Sequence, residues 1–446
     1  CLLSRGLGDV YKRQILSKHN INFLGLRGQA KTRLARMMVK LLDEWVPIIK
    51  GSEINDDPLS PISSLGKKII EEDGDDTKID WMHRSERFYE KLATPDVTVS
   101  DLIGDVDPIK AASLKLSYAD ERVIHFGMIP RANRCIFVIN ELPDLQARIQ
   151  VSLFSILEEK EIQIRGFKLR IPLDLQFIFT ANPEDYTNRG SIVTPLKDRI
   201  GSQIITHYPH TISIAKKITK QESDIIQSSV YIPELAHDLI EEINFAARKS
   251  EYVDFKSGVS ARMSITAFEN LVSTAKRRML INNEEKTSIR LSDFTGIIPA
   301  INGKIELVYE GEEQGADQIS FNLINEGVKT IFLRFFPEIS KLEKPNEVTP
   351  YDKILSWFVE NGTELFIGDE FTNKEYQDSL DEIKPLDELV KKYCKEINNE
   401  DISFIKEILL WGLSSFKKLS KNRMLDGIEF KDSLGSYLKN LNSDQI

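Results

Sequence analysis

A glycine-bearing segment followed by lysine and threonine is the first group of residues whose spacing could bind a ligand. Residues 25–32 read Gly-Leu-Arg-Gly-Gln-Ala-Lys-Thr and fit the pattern G-x-x-x-x-G-K-[ST] except at Ala30. In this pattern, backbone N–H groups surround a polyphosphate, the lysine contacts the terminal phosphates, and the hydroxyl binds Mg²⁺, here through Thr32. An alanine is compatible with this loop only if its φ angle is negative. The predicted ATP-binding residues are Gly25, Gly28, Ala30, Lys31 and Thr32.

An apolar run that ends in polar residues is the second group. Residues 135–139 are Cys-Ile-Phe-Val-Ile, and Asn140 and Glu141 follow them. At the end of such a strand, the first polar residue supports Mg²⁺ and the second polarises the water that attacks the phosphate. Asn140 can accept from a metal-bound water but brings no negative charge. We predict Asn140 as a metal residue and Glu141 as a catalytic residue; the alternative is that both merely end a core strand.

Three further residues are candidates for catalysis. Asn182 follows the strand-like run 177–179 and could hold the attacking water, although Asn-Pro is more often an ordinary turn. Arg199 ends a short helical pattern and could reach the ATP of a neighbouring subunit, or could form only a surface ion pair. Arg262 begins a helical pattern in a second domain and could sense the nucleotide, or could be an exposed arginine at a helix start.

The elements that position these residues alternate between strand-like and helical runs from residue 15 to 210. Such alternation predicts an α/β domain with a mostly parallel sheet. Helical spacing runs from Leu34 to Trp45 and again over residues 145–157, and residues 162–169 alternate around Gly166 as in a hairpin.

The rest of the chain is predicted to be helical. Residues 211–303 form the predicted helical lid, and residues 304–446 a mostly helical C-terminal region. An apolar stripe in that region must be buried, either on the lid or on a partner protein; it consists of Ile405, Leu409, Leu413 and Phe416. The polar stretches 343–350 and 369–378 are predicted to be linkers or loops.

Composition narrows the possible functions. The chain has 446 residues and a net charge of −10, which is unfavourable for coating nucleic acid. No apolar run reaches the roughly 18 residues of a membrane-spanning helix. The 3 cysteines form no CxxC pair, which favours a reducing cytoplasm. Residues 1–14 have no periodicity and are similar to a translated sequencing-adapter artefact; the alternative is a genuine tail.

These elements, in this order, resemble the branch of the AAA+ ATPases that contains magnesium chelatase motor subunits and MoxR-type ATPases. Residues 104–107, Gly-Asp-Val-Asp, resemble the chelatase loop after the second strand. Residues 126–134, Phe-Gly-Met-Ile-Pro-Arg-Ala-Asn-Arg, resemble the run before the Mg²⁺-supporting strand. The similarity covers roughly residues 15–278 and departs from the family pattern at Ala30 and Asn140.

The resemblance implies a P-loop AAA+ nucleotide domain with a parallel sheet, a helical lid and a helical C-terminal extension. It also implies ATP and Mg²⁺ as cofactors, a homo-oligomeric ring that is expected to be hexameric, and a cytoplasmic location. ATP hydrolysis would then drive remodelling or metal loading of a partner protein, which could carry a metal-adhesion-type domain. Two alternatives stay open: a non-hydrolysing nucleotide-binding scaffold, which Asn140 favours, and an enhancer-binding transcription activator, which the lack of a GAFTGA loop disfavours.

Overall fold

The computed structural model describes residues 12–118, 120–164, 167, 170–183, 190–224, 229–339, 349–361, 364–394 and 397–433. The chain divides into two compact units: one ends at Tyr208, and the other begins at Pro209. The predicted boundary between lid and C-terminal region, at residues 303 and 304, falls inside the second unit.

Within the described residues, the first unit contains eleven strands, a helical segment at residues 12–16 and eight further short helices. Its strands are β1 (Ile21–Leu24), β2 (Trp45–Ile49), β3 (Ile79–His83), β4 (Phe88–Leu92), β5 (Gly104–Val106), β6 (Ile124–Phe126), β7 (Cys135–Asn140), β8 (Glu161–Gln163), β9 (Arg170–Pro172), β10 (Leu175–Ala181) and β11 (Ser202–Ile205). Its helices are α1 (Lys31–Met37), α2 (Ser64–Asp73), α3 (Val99–Leu102), α4 (Pro108–Leu114), α5 (Met128–Arg131), α6 (Ala147–Ser152), α7 (Phe154–Glu159) and α8 (Thr194–Arg199).

A five-stranded parallel sheet organises this unit, in the order β11-β1-β10-β7-β4. Strand β7 is buried along its whole length because β10 and β4 flank it and both faces are covered. Phe137 and Phe179 pack on one face, whereas Val138 and Ile178 pack on the other face together with Ala35 of α1. The predicted parallel-sheet α/β domain is therefore present.

Two predicted helices differ from the structure. The helix predicted from the spacing of Leu34 to Trp45 is wrong in its second half. Helix α1 stops at Met37, a 3₁₀ turn follows, and Trp45 begins β2. Pairing of β2 with β3 overrides the apolar periodicity there. The helix predicted over residues 145–157 is split into α6 and α7, with a break at Leu153.

Three two-stranded ribbons lie beside the main sheet in this unit. They are β2–β3, β5–β6 and β8–β9, all antiparallel. At the start of β5, Gly104 has a φ of 118°, and a side chain there would collide with the backbone of β6 at His125. The predicted hairpin is the β8–β9 pair, although Gly166 itself lies outside the described residues.

The second unit is mainly helical. Its helices are α9 (Ile212–Glu222), α10 (Glu234–Lys249), α11 (Arg262–Ile281), α12 (Ile298–Asn302), α13 (Tyr309–Gln314), α14 (Ala316–Phe335), α15 (Asp352–Asn361), α16 (Asn373–Asp381), α17 (Lys384–Tyr393) and α18 (Ile402–Ser415). Its strands are β12 (Val230–Tyr231), β13 (Thr287–Ser288), β14 (Leu365–Gly368), β15 (Leu419–Arg423) and β16 (Gly427–Asp432). One hydrophobic core runs through it from Val230 to Phe430.

The apolar stripe of α18 is buried in this core. Ile405, Leu409 and Leu413 are fully buried, and Phe416 is partly buried. Helix α18 packs mainly against α14, α17 and β15, which all belong to the region 304–446. Gly412 lies where α18 approaches α14, and an added Cβ would collide with the ring of Phe332. The stripe is thus covered by the chain itself, but mainly by α14 of the C-terminal region; the predicted lid contributes only its last part, for example Phe294, whose ring centre lies 6.3 Å from that of Phe404 on α18.

Sequence patterns missed two features of the C-terminal region. A three-stranded antiparallel sheet of order β14-β16-β15 is present in the region predicted to be mostly helical. The stretch 369–378, predicted to be a loop or linker, contains the start of α16, which Thr372 and Glu375 open with reciprocal capping hydrogen bonds. The predicted linker at 343–350 lies largely outside the described residues.

A buried polar network crosses the second unit. Glu407 accepts hydrogen bonds from the Leu291 N–H and the Tyr376 hydroxyl, each at 2.8 Å. Arg278 and Asp293 form an ion pair in which both side chains are at most 4% exposed. Burial raises the pKa of the Glu407 carboxyl to about 7. These groups are thus removed from solvent and bonded to one another or to the backbone, although Oε1 of Glu407 and Nε of Arg278 have no hydrogen-bond partner among the described residues.

Two features are absent from the described part of the chain. No helix there is long and apolar enough to cross a membrane. No three His, Cys, Asp or Glu side chains among these residues form a group that could hold a metal ion by themselves.

Candidate functional site

The candidate site lies at the carboxyl ends of β1, β7 and β10. Strand β1 has β11 on one side and β10 on the other, so the chain order of the strands changes direction beside it. Ligands of open parallel sheets bind at such points, beyond the carboxyl ends of the strands. Residues 25–30 connect β1 to α1 at this position, and Asn140 ends β7.

The loop takes left-handed backbone conformations at two positions. Gly28 has a φ of 69°, and Ala30 has a φ of 58° and a ψ of 25°. The requirement for a negative φ at Ala30 is therefore not met. Ala30 is the residue immediately before α1, where the loop must turn into the helix, and the left-handed state costs an alanine roughly 1–2 kcal/mol.

Lys31 lies inside the loop with its ammonium group held by oxygen atoms. Its Nζ donates to the carbonyls of Gly25 and Leu26, at 2.5 and 2.9 Å, and to Oδ1 of Asn182 at 2.6 Å. The loop is tied to β10 as well, because the Gly25 N–H donates to the Ala181 carbonyl at 3.2 Å. The structure thus brings the predicted phosphate-binding lysine and the predicted water-holding amide together.

Gln29 and Thr206 fix the shape of the loop, and no sequence motif pointed to either residue. Gln29 is buried, and its Oε1 accepts from the Thr206 hydroxyl at 2.7 Å. A side chain at Gly25 would collide with both groups, which explains why a glycine is needed there. Thr206 follows directly after β11, so all three strands around the loop contribute to holding it.

A second contact in the loop joins Thr32 to Asn140. The Thr32 hydroxyl donates to Oδ1 of Asn140 at 3.2 Å, and the Thr180 hydroxyl donates to the same oxygen at 3.0 Å. Thr180 also accepts from the Glu141 N–H at 3.1 Å. The two residues predicted to support Mg²⁺ are thus neighbours, and β10 orients them.

A carboxylate that sequence analysis missed completes this cluster. Oε1 of Glu90, on β4, accepts from Nδ2 of Asn140 at 2.6 Å. Oε2 of Glu90 accepts from Nε and Nη2 of Arg36 at 2.9 and 2.8 Å. A carboxylate can only accept in its ionised form, so its contact with Asn140 identifies which side of that amide carries the NH₂ group.

Glu141 has an unusual backbone conformation for a residue at the end of a strand. Its φ is 56° and its ψ is 49°, and the chain turns there from β7 into the 3₁₀ turn Leu142–Asp144. The side chain is half-buried. The sharp turn separates Glu141 from the core strand, in contrast to the buried Asn140 one residue earlier.

Arg199 ends α8 and is held by residues of its own chain. Its Nε donates to Oε2 of Glu158 at 2.7 Å, its Nη1 donates to the Pro195 carbonyl at 2.9 Å, and its guanidinium carbon lies 4.8 Å from the centre of the Phe154 ring. Arg262 is the first residue of α11, as the helical pattern predicted; its side chain is exposed, and it belongs to the second unit.

The side chains at this site fit ATP with Mg²⁺. Mg²⁺ prefers oxygen ligands, commonly one or two from the protein together with phosphate oxygens and waters. Thr32 and Asn140 provide hydroxyl and amide oxygens, and the Glu90 carboxylate is hydrogen-bonded to the amide of Asn140. Lys31 provides a positive charge beside it, on a loop whose N–H groups can bind phosphate.

Comparison with known protein families gives one match, to the AAA domain (dynein-related subfamily), over residues 81–200. The matched segment contains Asn140, Glu141, Asn182 and Arg199, and begins after the loop at 25–32. No curated protein matches the chain.

Several solved structures are similar to it. A protein from Cytophaga hutchinsonii that is assigned as an ATPase shares 19% identity at a TM-score of 0.30, covering 72% of this chain and 90% of that one. A model of the complex between subunits BchI and BchD of magnesium chelatase shares 15% at 0.36, covering 68% and 95%. NtrX from Brucella abortus in complex with ADP shares 12% at 0.40, covering 76% and 63%. At TM-scores below 0.5, none of these likenesses bears on what this chain binds.

Proposed function

Because this chain contains an AAA domain of the dynein-related subfamily at residues 81–200, we propose that it binds ATP with Mg²⁺ and hydrolyses the ATP. The observation that carries the proposal is the pairing of Lys31 with Asn182 and of Thr32 with Asn140. These pairs join positions 151 and 108 residues apart in the chain. A loop that bound no phosphate would not need polar side chains from the ends of two strands, Asn182 and Asn140, beside its lysine and threonine.

Each residue has a role that follows from its chemistry. Lys31 and the N–H groups of residues 25–32 bind and neutralise the phosphates, because donors fixed in place stabilise the charge that develops during phosphoryl transfer. Thr32 and Asn140 would hold Mg²⁺, which neutralises phosphate charge when bound. Glu141 accepts the proton of the attacking water, and Asn182 orients that water.

The finer proposal is a motor that acts on a partner protein. The resemblance to magnesium chelatase motor subunits and MoxR-type ATPases supports coupling of hydrolysis to remodelling or metal loading of that partner. It also supports a homo-oligomeric ring, expected to be hexameric and cytoplasmic, in which Arg199 reaches the ATP of the neighbouring subunit. Arg262 would sense the nucleotide from the lid.

Replacement of Glu141 tests the hydrolytic role. Glu141→Gln should retain ATP binding and lower turnover by roughly 10²–10³-fold, as removal of one transition-state interaction does. Phosphate release and binding of a fluorescent ATP analogue measure the two effects separately. Asp75→Asn makes the same carboxylate-to-amide change at an exposed position in the 3₁₀ turn Gly74–Asp76 and should change neither. An unchanged rate in Glu141→Gln would contradict the assignment.

Mixing of two inactive variants tests the ring and the role of Arg199. In a ring, Lys31→Ala subunits bring an intact Arg199 to neighbours that carry Arg199→Ala and an intact Lys31. The mixture should therefore recover activity that neither variant has alone, and light scattering with ATP and Mg²⁺ should show an oligomer. A monomer, or a mixture as inactive as its components, contradicts the arrangement in trans.

A non-hydrolysing nucleotide-binding scaffold is the second candidate, and the neutral Asn140 favours it. Asn140→Asp restores the acidic residue at that position. If the chain is a scaffold that lost hydrolysis through this substitution, Asn140→Asp should gain phosphate release that the unaltered chain lacks. Turnover by the unaltered chain excludes the scaffold.

A further inference from the structure

The hydrogen bonds at both ends of the Asn140 amide polarise it in the same sense. Its Oδ1 accepts from two hydroxyls, those of Thr32 and Thr180, and its NH₂ group donates to the Glu90 carboxylate at 2.6 Å. Hydrogen bonds in such a chain strengthen one another, and a carboxylate that accepts from the NH₂ group increases the negative charge on the amide oxygen. Asn140 therefore presents a more basic oxygen to Thr32 than an isolated amide would.

The position of Glu90 on β4 is unusual for a charged residue. In the register of the sheet Glu90 lies opposite Val138, and Phe88 lies opposite Ile136. Val138 and Ile136 pack in the apolar layer that also contains Ala35 of α1. A glutamate on that face is costly to bury unless its oxygens are bonded, and here both are.

Helix α1 supplies the residues at both ends of this cluster. Thr32 bonds Asn140, and Arg36, one turn later, bonds Glu90. Residues four apart lie on the same helix face, so one face of α1 contacts both strands. Arg36 is 60% exposed and Glu90 is 25% exposed, so solvent reduces the effect of the arginine on the carboxylate.

We propose that Glu90 provides the negative charge that Asn140 lacks at the magnesium-nucleotide site. The acidic group stands on the neighbouring strand and acts through the amide of Asn140, so Glu90 is a positioning residue and not a catalytic one. This inference rests on the proposed binding of ATP with Mg²⁺. Partners that bond to a metal ligand orient it and raise its basicity, and their loss typically lowers metal affinity roughly 10- to 100-fold.

The test measures how strongly Mg²⁺ supports nucleotide binding, without reference to turnover. A fluorescent ADP analogue is titrated onto the full chain, first in EDTA and then at increasing Mg²⁺. Glu90→Gln keeps the shape of the side chain and removes its charge. We expect it to raise the half-saturating Mg²⁺ concentration by about tenfold or more and to leave binding in EDTA unchanged.

Two further variants separate charge from structure. Arg36→Ala breaks the same ion pair but leaves the Glu90 charge in place, so it should not raise the Mg²⁺ requirement. The double variant Glu90→Gln/Asn140→Asp moves the carboxylate one strand over and should restore the Mg²⁺ dependence of the unaltered chain. A merely structural role for Glu90 predicts the opposite pattern, with Arg36→Ala as damaging as Glu90→Gln and no rescue by the double variant.

The outcomes distinguish this inference from the function on which it rests. Nucleotide binding that Mg²⁺ strengthens equally in Glu90→Gln and in the unaltered chain overturns the role of Glu90 and leaves the ATPase proposal standing. Failure of the unaltered chain to bind any nucleotide overturns both. If Glu90→Gln does not fold, as judged by its melting curve, the double variant decides: a raised Mg²⁺ requirement there overturns the inference.

Discussion

Each unit of the molecule contains a polar network built around one glutamate, and the two networks differ in their access to solvent. Glu90 is partly exposed and bonds to a strand amide and an exposed arginine. Glu407 is fully buried and bonds to a tyrosine hydroxyl and a backbone N–H. The candidate site thus combines charge with access for a ligand, whereas the network of the second unit has charge without access.

This difference shows why a strongly shifted pKa is a poor guide to the functional site here. Shifted pKa values often mark catalytic groups, but structural networks shift them as well. Burial raises the pKa of Glu407 to about 7 and lowers that of Lys421, also in the second unit, to about 7. The candidate site is marked instead by the motif at residues 25–32 and by the hydrogen bonds around Asn140.

The largest effect on stability is expected at the buried ion pair. Arg278→Met leaves Asp293 buried without its cationic partner, which typically costs about 3–5 kcal/mol. Urea unfolding measures the loss. The double variant Arg278→Met/Asp293→Leu removes both charges and should recover most of it. A loss below about 1 kcal/mol in the single variant would show that solvent reaches the pair. The two networks would then not differ in their access to solvent.

A pH dependence of smaller size is expected from Glu407. Its pKa is raised in the folded chain, so its contribution to stability is fully present below about 4.5 and is lost as the pH rises through 7. Lys421 has the opposite sign: its pKa is lowered, so its contribution is present above about 10.5 and is lost as the pH falls through 7.

Urea unfolding at a series of pH values checks both signs. Glu407→Gln should remove the decline between about pH 4.5 and 7, and Lys421→Met should remove the rise between about pH 7 and 10.5. Each variant is the control for the other, because its pH range should be unaffected. Parallel curves for Glu407→Gln and the unaltered chain from pH 4.5 to 7 would place Glu407 in contact with water.

The smallest effect is expected at an exposed ion pair of the first unit. Glu158→Gln removes the partner of Arg199, and Glu158 is 61% exposed. Such pairs contribute about 0–1 kcal/mol, so the unfolding free energy should change by less than about 1 kcal/mol. A larger loss, seen also in Arg199→Ala, would mean that Arg199 has a structural role within its own chain.

Sequence patterns identified the parts of the site that have a fixed spacing. Lys31, Thr32, Asn140 and Asn182 were each predicted, because a strand followed by a polar residue has a recognisable pattern and parallel strands bring their carboxyl ends to one edge. Glu90 was missed because a single glutamate in the strand Phe-Tyr-Glu-Lys-Leu has no motif. Its one signal was the charge itself, at a position whose neighbours two residues away are Phe88 and Leu92.

The fold was predicted where local periodicity agrees with tertiary packing, and missed where the two conflict. The spacing from Leu34 to Trp45 suits a helix, but the pairing of β2 with β3 determines the structure at Trp45. In the C-terminal region, β15 is Leu-Ser-Lys-Asn-Arg, which does not alternate between apolar and polar residues. It is a strand because it pairs with β16, a contact that the local sequence does not encode. The helix after Thr372 was predictable from the capping pair with Glu375, a signal that the polar composition obscured.

The close approach of α18 to α14 has a consequence for how substitutions in this chain would be read. Gly412 accepts no side chain because of Phe332, yet it lies in the core of the second unit and carries no chemistry. In a saturation scan scored by survival, position 412 should therefore tolerate as few amino acids as position 31. Mutational intolerance alone would rank the two positions together. Only a separate measurement of protein abundance would show that substitutions at position 412 reduce the amount of folded protein, whereas those at position 31 reduce nucleotide binding.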